Sequence, residues 1–201
     1  LRGGCAHPTR RPGAGAVLEA ALPLVRALPE AGTWPPPAVY VADIQEELGN
    51  WLANAKDPGA EALLAECVTT RERAVAQHPG NLEFRMRLGG ALHNHARAVF
   101  GDAARADVAL PEFERAAELQ RAALRDAPGH MMAVDFLGKH LEMLGLCARQ
   151  LRDVQLLTAT ATELAGVPSR HARTAQRAAE FYLSAWRLGD PQDVVYLIGS
   201  L

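Results

Sequence analysis

The feature that most restricts the fold is a Leu-Gly pair recurring at a fixed distance behind a proline. Pro79-Gly80 is followed nine residues later by Leu88-Gly89, and Pro128-Gly129 nine residues later by Leu137-Gly138. Four residues beyond those leucines stand Leu92 and Leu141. Leu48-Gly49 and Ala178-Ala179 extend the same large-small column, with Leu52 and Tyr182 at the later position. Leu-Gly-x-x-Leu is helical spacing, and a mid-helix glycine costs roughly 1 kcal/mol against alanine. Its recurrence predicts that helix backbones approach closely there, at Gly89 and Gly138 in particular. Ahead of the prolines at 79, 128 and 168, Cys67, Ala116 and Leu156 stand twelve residues back, and Ala74, Ala123 and Glu163 five back. The first two members of each set are the small residues a second, closely packed helix needs.

The rest of the chain agrees with paired helices. Val41, Ile44, Leu48, Trp51 and Leu52 fall three and four apart on one helical face. Lys56-Asp57-Pro58-Gly59, His78-Pro79-Gly80 and Pro128-Gly129 are stops. Helices are predicted over 38–54, 60–77, 82–99, from Leu110-Pro111 to about Arg125, then 131–150 and 154–164, and onward from an N-cap at Ser169. Residues 1–15, rich in Gly, Pro and Arg, read as a flexible leader. Residues 16–37 read as a partial leading helix, kinked or delayed at Pro23, and a Pro-rich linker with Trp34 packed on the first full helix. Residues 38–190 form the repeat domain and 191–201 a capping segment. The stretch from Phe100 to Leu110 is predicted to be an elongated hairpin and a second place for partner contacts.

Composition narrows the function. Aromatic residues are only 5% of the chain, which favours helices packed through small side chains over a sheet core. Lys plus Arg number 21 against 23 acidic residues, so no basic excess exists to neutralise nucleic-acid phosphates. Cys5, Cys67 and Cys147 are odd in number and widely spaced, which points to a reducing cytoplasm. No apolar run approaches the roughly 20 residues that span a bilayer. The sequence opens on Leu1, not Met, which points to an excerpt of a longer chain.

The Leu-Gly-x-x-Leu pattern, followed by paired small residues before a proline, resembles tetratricopeptide (TPR) repeats, covering about residues 38–190. The resemblance implies an all-α fold of antiparallel helix hairpins stacked as a right-handed superhelix, an α-solenoid. Leu119-Gln120-Arg121-Ala122 and Ala91-Leu92-His93-Asn94 are also similar to repeats appended to planctomycete-type bacterial serine/threonine kinases. The chain departs from the family where Gln45, Arg85 and Val134 replace its consensus Trp. The prolines lie 49 and 40 residues apart, against a period of about 34.

In such arrays the first helix of each pair lines a concave groove that takes a peptide or partner protein. The resemblance therefore implies a groove with Asn50, Asn54, Met86, His93, Asn94, Asp135, Lys139 and Glu142 among its contacts, and Asp43, Glu46 and Arg173 beside them. Asn and His can bond an extended backbone, and Met adapts to varied apolar contacts. The Lys/Asn/Arg carboxylate clamp of some family members is matched only at Asn50 and Lys139. His93 and His95 are two apart on a helix and face different ways, so they cannot chelate one ion. No catalytic, cofactor or metal set stands out. The expected function is a non-catalytic interaction module; the alternative is the regulatory or scaffolding region of a serine/threonine kinase whose catalytic domain lies outside this chain.

Overall fold

The computed structural model describes residues 13–29, 35–101, 104–168 and 172–189, and all regular structure among them is helical. The helices are α1 (Ala14–Arg26), α2 (Pro37–Asn54), α3 (Gly59–Gln77), α4 (Leu82–Phe100), α5 (Ala106–Asp126), α6 (Met131–Leu151), α7 (Val154–Gly166) and α8 (Ala172–Leu188). Two compact units divide the chain, Leu1–Ala98 and Val99–Leu201. The expected N-cap at Ser169, the packing of Trp34 and the capping segment 191–201 lie outside the described residues.

Local chemistry accounts for most helix ends. Pro37 opens α2 at its first position, where a missing N–H costs nothing. Asn81 caps α4 through Oδ1, which accepts from the Phe84 N–H at 3.1 Å, and Asp153 caps α7 by accepting from Leu156 N–H at 2.9 Å. Helices α2 and α6 end alike, on a left-handed residue at Lys56 (φ 58°) and Arg152 (φ 60°). The amide after each reaches back five residues, Asp57 to the Leu52 carbonyl and Asp153 to the Ala148 carbonyl, both at 2.9 Å. Glycine usually fills that position, so the sequence carries no sign of this ending.

Two sequence expectations change. Helix α1 begins at Ala14 and carries Pro23 inside it. Helix α5 starts at Ala106, not at Leu110-Pro111, and also runs through its proline. Pro111 removes the N–H that would meet the Asp107 carbonyl and crowds that carbonyl with its ring, yet the helix continues on both sides of it. Residues 106–110 of the expected elongated hairpin are therefore helix.

In the first unit α2 packs against both α1 and α3. A Cβ on Gly15 would stand 2.8 Å from the Trp51 ring, and one on Gly49 would stand 2.6 Å from Leu64 Cγ. In the second unit α6 is the hub and packs on α5, α7 and α8, while α7 also packs on α8. Phe113, Leu141, Leu157, Leu164 and Phe181 are fully buried there. Leu157, Ala161 and Leu164 make the buried row of α7, one residue out of register with the expected Leu156 and Glu163. Gly145 meets the Phe181 ring so closely that any Cβ would collide with it. Gly138 does not match its expected role, for the nearest atom to a Cβ there is Val167 Cγ1 at 4.0 Å. The close approach in α6 sits two turns later.

Candidate functional site: a charged hollow between α6 and α8

Helix periodicity puts Asp135, Lys139 and Glu142 on one face of α6, four and three residues apart. The first turn of α8 brings Arg173 and Thr174 opposite them. Together with Val134 and Gly138 these residues line a hollow of about 380 Å³. Asp135, Lys139 and Arg173 are exposed, Glu142 is half-buried, and Thr174 is buried. The face of α6 bearing Leu137, Leu141, Leu144 and Cys147 is buried in the core, so the charged face is what remains. Lys139 Nζ lies 5.3 Å from the centre of the Phe136 ring.

The charges of this hollow differ from others in the same unit. Arg121 holds Glu163 through two 2.7 Å contacts, Nε to Oε1 and Nη2 to Oε2. Arg125 donates to Glu118 at 2.8 Å, and Arg177 to Glu180 at 2.7 Å. The guanidinium of Arg125, and that of Arg121 beside it, holds the Glu118 carboxyl below its usual range. Asp135, Glu142, Lys139 and Arg173 make no ion pair among the described residues. Two negative and two positive side chains thus face one hollow with no direct ion pair between them among the described residues.

The first unit places its expected groove residues otherwise. Arg71 on α3 is buried, with its side chain 5% exposed, and its Nη2 donates to Asp43 Oδ1 at 2.8 Å and Glu46 Oε2 at 2.7 Å. Asn94 of α4 donates to the other Glu46 oxygen at 2.8 Å, and Arg97 donates to Asn50 Oδ1 at 3.0 Å. Asn50, Asn94, Asp43 and Glu46 are therefore braces between α2, α3 and α4. Met86 is 1% exposed and offers no surface, His93 is half-buried and Asn54 is exposed. Of the eight expected residues, the structure brings Asp135, Lys139 and Glu142 around one open hollow. Sequence reading missed Arg71 and Thr174. A charged residue four after Cys67 and three before Ala74, inside the small-residue row of α3, was the available signal for Arg71.

The hollow can supply hydrogen bonds and charge to a ligand. Among the described residues, its lining includes neither thiol nor imidazole, and no group of three His, Cys, Asp or Glu side chains is placed to hold a metal ion. Burial pushes the Cys67 thiol up to about 12 despite the opposing pull of Arg71, and its Sγ donates to the Ala42 carbonyl at 3.3 Å. Burial alone pushes Cys147 up to about 12. Such thiols stay protonated at neutral pH and are poor nucleophiles. No described helix is long and apolar enough to cross a membrane. No family model, curated protein or solved structure matches the chain.

Proposed function

We propose that this chain is a non-catalytic interaction module, built from TPR-like helix hairpins, that takes an extended segment of a partner protein against the first helices of its pairs. The observation that carries this reading is the hollow between α6 and α8, with four charged side chains around it that make no ion pair among the described residues. A surface charge held near unneutralised neighbours gains most from a ligand that brings the opposite sign. The packing of α6 on α5, α7 and α8 is the neighbour pattern that stacked hairpins require, since each first helix must meet both its own partner and the next pair. Free Cys67 and Cys147 suit a reducing, cytoplasmic setting.

The test is selection of displayed random peptides on the immobilised chain, followed by hydrogen-exchange footprinting. Enriched peptides should protect α6 and the start of α8 and lose about tenfold in affinity when Asp135, Lys139 and Glu142 are all reversed in charge. Failure to enrich any peptide over an unrelated helical protein, or equal binding to the charge-reversed variant, would remove this reading.

A further inference from the structure

Two kinds of helical glycine can be told apart among the described residues. Gly15, Gly49 and Gly145 each face a side chain that leaves no room for a Cβ. Packing explains them. Gly138 sits in the middle of α6, yet a Cβ there would meet nothing nearer than Val167 Cγ1 at 4.0 Å, an ordinary contact. A mid-helix glycine is unfavourable against alanine, and among the described residues no neighbour requires it. It is itself buried and lines the floor of the hollow, beside the row of Asp135, Lys139 and Glu142. Glycine at such a place lets another backbone approach the helix closely.

The charges define what that backbone should carry. Asp135, Lys139 and Glu142 run negative, positive, negative along α6 and span about 10 Å, seven residues at about 1.5 Å each. Arg173 adds a second positive charge across the hollow. An extended chain advances about 3.3 Å per residue, so side chains two apart on one face lie about 6.6 Å from each other and three of them span about 13 Å. Given flexible side chains, three alternating charges on an extended ligand match the row on α6.

We propose, resting on the reading of this hollow as a binding site, that its ligand is an extended peptide segment of the form basic-x-acidic-x-basic. Gly138 is the specificity residue that admits the peptide backbone. The central carboxylate of the peptide meets Lys139 and Arg173, and its two flanking cations meet Asp135 and Glu142.

Two synthetic heptapeptides test the charge order, one reading Ala-Lys-Ala-Glu-Ala-Lys-Ala and one with every sign reversed. Titrated into the full chain and followed by amide chemical shifts, the first should move resonances of α6 and the start of α8, and bind about tenfold tighter than its reversed partner. Equal binding of the two at α6 and α8 would overturn the charge assignment while leaving the hollow as a binding site. If neither moves those resonances while display-selected peptides do, this inference fails and the functional reading stands; if selected peptides fail as well, both fall. Gly138→Ala separates a packing role from a recognition role. It should raise the melting temperature by roughly 2–4 °C, because helix propensity improves, and weaken the first peptide several-fold. A Gly138→Ala chain that binds as before would remove Gly138 from recognition. One that melts lower would make it a packing glycine.

Discussion

The two units solve the same packing problem with opposite chemistry. The first joins α2, α3 and α4 through charge: buried Arg71 takes Asp43 and Glu46, and Glu46 also takes Asn94. Gln45 and Thr70 extend the polar seam, with Thr70 Oγ1 donating to Gln45 Oε1 at 3.1 Å and Gln45 donating to Glu66 at 3.1 Å. The second unit joins α6, α7 and α8 through apolar contact, with Phe181 laid over Gly145 and Leu157 and Leu164 buried beside them. One buried column shows the change along the chain. Arg71 on α3, Gln120 on α5 and Ala161 on α7 stand four residues after the buried Cys67, Ala116 and Leu157, and each is itself buried. Helix register is thus kept while the side-chain chemistry of the seam is free to vary. The polar seam occupies the charged residues of the α2 face, whereas the apolar seam leaves those of α6 open to the hollow.

Breaking each seam should expose the contrast, and the two thiols report on it separately. Cys67 lies in the first seam and Cys147 in the second, both buried. In a Cys5→Ser background at pH 8 each should react with a thiol reagent only when its own helices open. The largest effect is expected from Phe181→Ala, which removes a fully buried ring and should cost about 3–5 kcal/mol in urea unfolding. Cys147 should then label faster while Cys67 is less affected. Arg71→Met should cost about 3 kcal/mol, the low end for breaking a buried ion pair. Asp43 and Glu46 keep 41% and 22% of their side-chain exposure, so water can take over part of Arg71's role. Cys67 should become the faster thiol. A neutral Arg71→Met would mean that packing, not charge, holds the first unit.

Smaller effects are expected from the glycines. Gly49→Ala and Gly145→Ala should each destabilise by about 1–3 kcal/mol through overpacking. Gly145 should be the worse, because a Cβ there would overlap the Phe181 ring more deeply than one at Gly49 would overlap Leu64. Equal losses at both sites would show that the second core yields as easily as the first.

Much of the helix pattern was legible in the sequence, because it rests on local signals. Prolines and glycines mark the stops, and the three-and-four spacing of Val41, Ile44, Leu48 and Leu52 marks α2. Pro111 misled, since a proline inside the second turn removes one bond without ending the helix, and the apolar run behind it says nothing of where the helix starts. The candidate site was legible in part. Asp135, Lys139 and Glu142 share a face by periodicity alone, and that face is open. Asp43, Glu46, Asn50 and Asn94 share faces by the same rule, but their bonding depends on Arg71 and Arg97, which come from other helices. Periodicity gives which residues look the same way, not what stands across from them. The Leu-Gly column failed for the same reason at Gly138: a glycine shows that something comes close, and the sequence does not say whether it is a neighbouring helix or a ligand.

The smallest effect is expected where charge appears in the second unit as it does in the first. Arg121 and Glu163 join α5 to α7 by a two-point contact, geometrically as good as that of Arg71. Their side chains remain 33% and 35% exposed, however, against 5% for Arg71. Hydrogen bonding to Glu163 raises the Arg121 pKa against a counter-pull from burial, so the pair does attract. Water competes for both partners, and exposed pairs contribute about 0–1 kcal/mol. Arg121→Gln should therefore cost less than about 1 kcal/mol, shrink further in high salt, and leave Cys147 as protected as before. A loss as large as that from Arg71→Met would show that exposure is not what separates the two seams, and that the second unit leans on charge as heavily as the first.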